Sequence, residues 1–192
     1  MTSVQTQDKA TLPIPGKWEI DPSHSSVQFG AKHLGLSKIR GHFSNYSAEI
    51  HVGETLEESR VQAVIDASSI DTQLDMRDEH LRSPQFLDVA RFSEIRFVST
   101  AIEPAGERWL VRGDLTIRDV TKPVALEVVY HGDADDPMTQ VKRAGLSARL
   151  EIDREDFGIR LGGPMTTLVG KTVEIEIEAE AVLDQSDSPK AP

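Results

Sequence analysis

The chain has 192 residues, no cysteine and a formal net charge of -11, and only 5% of its residues are aromatic. That length suits one domain with a full core, and the absence of thiols excludes disulfides, thiolate chemistry and Cys-based zinc sites. The acidic balance disfavours nucleic acid and anionic membrane surfaces, which call for clustered Lys and Arg, and points to a neutral, cationic or apolar partner.

In chain order, residues 1–16, MTSVQTQDKATLPIPG, are polar and Pro-containing without an apolar leader core, so a disordered segment is expected before a domain spanning 17–184. No run approaches the roughly 18 apolar residues of a membrane span, and with no export signal visible the sequence reads as a cytoplasmic protein. SSVQFGAKHL and SNYSAEIHV are strand-like, and RVQAVID turns Val61, Ala63 and Ile65 to one side. Next comes TQLDMRDEHLRSPQFLD, where Thr72 and Asp75 fit a capping box and Pro84 stops extension, predicting one short helix near residues 73–83. Leu74, Asp78 and Leu81 are spaced to share a face, so Asp78 should sit among apolar anchors and need a partner, with Arg82 or loop N–H groups the candidates.

The two-residue period then resumes. IRFVSTA directs Ile95, Phe97, Ser99 and Ala101 inward, and WLVRGDLTI does so with Trp109, Val111, Gly113, Leu115 and Ile117. PVALEVVYH offers Val124, Leu126, Val128 and Tyr130, and GLSARLEID offers Leu146, Ala148, Leu150 and Ile152. In TVEIEIEAEAVL, Val173, Ile175, Ile177, Ala179 and Ala181 alternate with Glu174, Glu176, Glu178 and Glu180. A helix would stack those glutamates in like-charge pairs, whereas a strand turns all four to water. Residues 185–192 have the Ser, Pro and Asp content of a disordered tail. The sum is an all-β domain of about eight antiparallel strands, closing as a barrel or stacking as a sandwich, and the long strands favour closure. Small inward residues such as Ala63, Ala148 and Ala179 leave volume that opposing large side chains or a ligand can take.

Several stretches together resemble the YceI-like family of lipocalin-like, polyisoprenoid-binding barrels. They are WEIDPSHSSVQFGAKHLGLSKIRGHF, SIDTQLDMRDEHLRSPQFLD, IRFVSTAIE, GDLTIRDVTKPVAL and IDREDFGI, in that order between Trp18 and Leu183. The resemblance implies an eight-stranded antiparallel barrel with one short helical insertion, whose lumen carries or stores an amphiphilic isoprenoid of polyprenyl phosphate or quinone type. It also brings a homodimer into view. Ser93 stands where the family usually has Pro, Asp119 where it often has Gly, and the family's frequent export signal is missing.

Arg77, Asp78, Glu79 and His80 are consecutive on one helical turn and point in four directions, so they cannot converge on one substrate atom. A hydrolytic or metal-binding protein using His80 and Asp78 is the alternative in another class. His24, His33, His42 and His51 recur every nine residues, but intervening turns break any common face, and no metal or other cofactor is expected. A binding barrel needs no catalytic group, since each ligand CH2 removed from water is worth about 0.8 kcal/mol. On that reading Phe29, Phe43, Phe86, Phe97 and Phe157 are lining or rim residues. Arg77, His80, Arg154 and His24 are candidates for head-group contact, and Leu74, Asp78 and Leu81 fasten the helix. Sequestration of other hydrophobic compounds, such as lipophilic antibiotics or stress lipids, uses the same residues.

Overall fold

The computed structural model describes residues 12–184. The tail 185–192 and residues 1–11 of the expected disordered segment lie outside the described residues. The strands are β1 (Gly16–Ile20), β2 (Ser26–His33), β3 (Ser37–Phe43), β4 (Tyr46–Val52), β5 (Arg60–Asp66), β6 (Ile70–Asp71), β7 (Glu94–Ala105), β8 (Arg108–Ile117), β9 (Val120–Asp135), β10 (Lys142–Asp153) and β11 (Val169–Leu183). Helix α1 (Asp75–Arg82) follows β6, and a single helical turn, α2 (Met165–Leu168), precedes β11.

All neighbouring strands are antiparallel in the order β1-β4-β5-β7-β8-β9-β10-β11, and β11 pairs back onto β1, so the sheet closes as an eight-stranded barrel. The remaining segments are continuations: β2 carries on from β1 along β11, β3 leads into β4, and β6 extends β5 across β3. Short side chains make these kinks. The Asp21 carboxylate accepts the Ser23 N–H at 3.0 Å ahead of a 3-10 turn over Pro22–His24, and Asp66 accepts the Ser68 N–H at 2.9 Å ahead of another over Ala67–Ser69.

The ladders are interrupted by bulges, and a single residue inserted into one strand reverses which side chains beyond it face in. Ala101, expected inward, is exposed, because the register shifts between Ser99 and Ala101 and Ile102 turns to the interior instead. The Ser99 hydroxyl accepts the Val61 N–H at 2.8 Å there, giving a backbone donor on β5 a partner. A second shift, an extra residue in β9 at Gly145/Leu146, lies beyond Tyr130, which keeps its expected place in the inner row, opposite Leu146 and stacked on Trp109 with ring centres 5.8 Å apart. There Tyr130 packs against a smaller cluster of Trp18, Val52, Ala144 and Ala181 below the main core.

Trp18, only 1% exposed, anchors this lower end, and its indole N–H donates to the Ile14 carbonyl at 3.0 Å. Part of the segment expected to be disordered is thereby folded under the barrel: Pro13 is buried, and with Leu12 it lines the interior. At the other end Leu81, Phe86, Leu87 and Phe157 pack onto the main cluster from α1, the segment after it and the 3-10 turn Arg154–Phe157.

Candidate functional site: the barrel lumen

The inward rows enclose a cavity of about 330 Å3 whose accessible wall is almost entirely carbon. That is the low end of the ~300–1,000 Å3 usual for small-molecule pockets. Ala63, Ala148 and Ala179 face this space from β5, β10 and β11. Gly113 does not leave room in the same way. A Cβ there would lie 2.5 Å from two ring carbons of Phe97 and from the Val98 carbonyl oxygen, so the missing side chain is the seat of the Phe97 ring.

The aromatic candidates Phe29, Phe43, Phe86, Phe97 and Phe157 all line the cavity. Phe29 and Phe43 pack with ring centres 5.5 Å apart. Arg154 also borders it, yet its guanidinium, 4% exposed, donates to the carbonyls of Ile159 at 2.6 Å and of Val169 and Gly170 at 3.2 Å each. Those bonds tie the turn after β10 to the start of β11, and the Glu155 carboxylate lies 3.7 Å away.

Three of the proposed head-group residues do not reach the lumen. His24 is exposed and bonded to Asp21 at 3.0 Å, while His80 is exposed, 2.6 Å from the Gln85 side-chain oxygen and edge-on to Phe86. Arg77 turns to Thr72, with Nε donating to the hydroxyl at 2.6 Å and Nη2 to the carbonyl at 2.7 Å.

The helix differs from expectation in how it is held. It begins at Asp75, and the Thr72–Asp75 capping box is absent because the Thr72 hydroxyl donates to Asp78. The buried Asp78 carboxylate also accepts the Thr72 N–H at 2.9 Å. Thr72 therefore stands between Arg77 and Asp78, and opposite charges are linked through one hydroxyl. Arg82, expected as a partner for Asp78, donates instead to the carbonyls of Ser68 at 2.8 Å and Ile70 at 2.6 Å. Leu74 is not an anchor. It is 52% exposed with extended backbone just before the helix, so helical spacing does not reach it, whereas Leu81 packs on the core and lines the cavity. Arg77 and Asp78 thus meet on Thr72 while His80 turns to Gln85, and the three form no convergent acid-base centre.

Among the described residues, Asp21, His24 and Glu180 are close enough together to hold a cation, and the other histidines are not part of that group. A cation already belongs to it. The Arg143 Nη1 lies 2.8 Å from Asp21 and 2.5 Å from Glu180, and its Nε lies 3.2 Å from Asp136. The Arg143 hydrogen bond, followed by those of Ser23 and His24, holds the Asp21 carboxyl well below the usual carboxylate range. This network was invisible in the sequence because 122 residues separate Arg143 from Asp21.

Residues 18–181 match the model of the YceI-like domain family. A UPF0312 protein of Pseudomonas fluorescens is 34% identical over 168 residues, which is 86% of this chain and 85% of that one. The crystal structure of Burkholderia cenocepacia BcnA superimposes with a TM-score of 0.76 at 24% identity, covering 84% of this chain and 98% of the other. A domain from Saccharophagus degradans, described as polyisoprenoid binding and implicated in plant cell wall breakdown, superimposes with a TM-score of 0.67 at 17% identity over 87% of this chain and 98% of its own.

Proposed function

The chain belongs to the YceI-like family, and from that premise we propose that it is a non-enzymatic carrier or store of an amphiphilic isoprenoid, of polyprenyl phosphate or quinone type, held in the barrel lumen. The observation that carries the reading is the closed barrel around an apolar cavity of about 330 Å3. Such a cavity rewards chain length: ~0.8 kcal/mol per CH2 accumulates over a tail without any directional contact. The polyisoprenoid-binding description of the Saccharophagus domain supports the same use of a shared fold. The partners found for Arg77, Asp78 and His80 favour structural roles over chemistry. No helix among the described residues is long and apolar enough to cross a membrane.

The test is organic extraction of protein purified from its native source, followed by mass spectrometry. Recovery of a polyprenyl compound in near-stoichiometric amount is expected. Repeated recovery of a different lipophile would assign the lumen to that compound instead, and repeated recovery of none would remove the proposal.

A further inference from the structure

The strand pairing of the barrel wall is interrupted on one side. β1 pairs with β4 only from Gly16↔Val52 to Glu19↔Glu49, and β2 pairs with β3 only from Val27↔Phe43 onward. Between these two ladders, residues 20–26 and 44–48 have no strand pairing with each other. Each side is drawn away by its other neighbour. Ile20 pairs with Ala181 and the Asp21 N–H donates to the Glu180 carbonyl at 2.8 Å, while Ser44 and Asn45 bond to Ser69 and Tyr46 pairs with Ile65.

Outside this gap lies a second cavity, a groove of about 480 Å3. Ser25, Val27, Gln28, Phe43 and Tyr46 line both the groove and the lumen, so the two spaces share a wall one residue thick there. Ser25, Gln28 and Ser47 bring polar side chains to the lumen wall at this place. The groove itself is polar. Arg40 and His42 project into it from β3, opposite Asp71, Thr72 and Gln73. His42 Nε2 is 3.8 Å from Asp71, whose other oxygen accepts the Gln73 N–H at 2.6 Å. Arg40 is different: among the described residues its side chain has no hydrogen bond or ion pair, and the carboxylate of Glu174 reaches it only through the longer-range field. An exposed guanidinium without a partner, in a concave groove on a protein of net charge -11, is a ready fork for two anionic oxygens.

We propose that this gap is a lateral portal, and that the groove outside it takes the anionic head group, phosphate or carboxylate, of an amphiphile whose tail lies in the lumen, with Arg40 the principal contact and His42 and Gln28 beside it. The proposal rests on the lumen being a lipid site, and it adds where the head goes and what charge it carries. Phe43 and Tyr46 then stand at the threshold between tail and head.

The test compares dodecyl phosphate with dodecanol, two probes with the same chain and different heads, by displacement of a fluorescent polyene from wild type, Arg40→Gln and Arg108→Gln. Arg108 is an exposed arginine on β8, paired with Glu127 at 2.8 Å, and controls for the change in net charge. A charged hydrogen bond lost at the head group lowers affinity by about ten- to hundredfold. Arg40→Gln is expected to lose that much for dodecyl phosphate while keeping dodecanol affinity within about twofold, and Arg108→Gln to leave both unchanged. Equal phosphate affinity in wild type and Arg40→Gln, or an equal loss in both variants, overturns the portal assignment while leaving the lumen reading intact. Failure of both probes to bind wild type overturns the lumen reading and the portal together.

Discussion

Replacing Asp78 by Ala tests how the short helix is fastened. Its carboxylate is 4% exposed and accepts both the N–H and the hydroxyl of Thr72, while Arg77 holds the same threonine from the other side. Hydrogen bonds to a charged acceptor are worth about 1.5–3 kcal/mol each, and deleting the acceptor leaves a buried N–H and an arginine without its counter-charge. The expected loss is about 3–5 kcal/mol, or a fall in Tm of about 10 °C for a domain of this size. Asp78→Asn keeps one oxygen acceptor and should lose about 1–2 kcal/mol. Urea unfolding followed by circular dichroism supplies the values. A cycle with Thr72→Ala supplies the coupling, which should exceed about 1 kcal/mol because the two side chains are in direct contact. A loss below about 0.5 kcal/mol for Asp78→Ala, or strict additivity with Thr72→Ala, would refute the fastening role. So would a folded Asp78→Ala protein that loses dodecanol affinity, since that places the carboxylate at the ligand.

Ala148→Phe puts a ring into the lumen from β10; it should lower dodecanol affinity at least tenfold while costing about 1–3 kcal/mol in overpacking, and a ligand-binding titration checks the first part. Gly113→Ala collides with the Phe97 ring and the Val98 carbonyl, so a loss of about 1–3 kcal/mol is expected, with partial recovery when Phe97→Leu is added, as thermal melts would show. The carboxyls of Asp21, Asp133, Asp136 and Glu174 are all held below their ordinary values, chiefly by hydrogen bonds from Arg143, Tyr130, the Met138 N–H and Lys38 respectively. A carboxyl depressed in the folded state adds stability above its unfolded pKa, near 4, and that contribution disappears as pH falls through the folded value. Urea midpoints should therefore be nearly flat from pH 5 to 8 and drop below about pH 4, and Arg143→Met should make the drop shallower.

The barrel was legible because its signal is local. Alternation in WLVRGDLTI and TVEIEIEAEAVL reports one wet face and one dry face along each strand, whereas strand number and length only favour a barrel over a sandwich. Ala101 departs from its expected facing because an inserted residue reverses the facing of what lies beyond it in the strand, and nothing in IRFVSTA marks the insertion. The helix was placed from Thr72 and Pro84, but its fastening depends on which neighbour a threonine hydroxyl selects. Thr72 chose Asp78 over the cap, which freed Arg82 for two carbonyls and left Leu74 in water. Gly113 belongs to the inward row yet leaves no vacancy, because spacing gives the size of a residue and not the size of what leans on it. The portal had no sequence signal, since it is made by pairings that stop rather than by residues of a special kind.

The glutamates of β11 fix how this barrel relates to a bilayer. Barrels that span outer membranes carry their apolar side chains outward and their polar ones toward the lumen. Here the arrangement is inverted: Ile175 and Ile177 line the inside, while Glu176 and Glu178 stand exposed on the outer wall. Immersing that wall in hydrocarbon would strip water from the carboxylates, so the staves face aqueous solution even beside a membrane. Any exchange of an apolar tail with a bilayer is then confined to a rim or a break in the wall, where oily interior and acyl chains can meet without drowning the charged exterior in lipid.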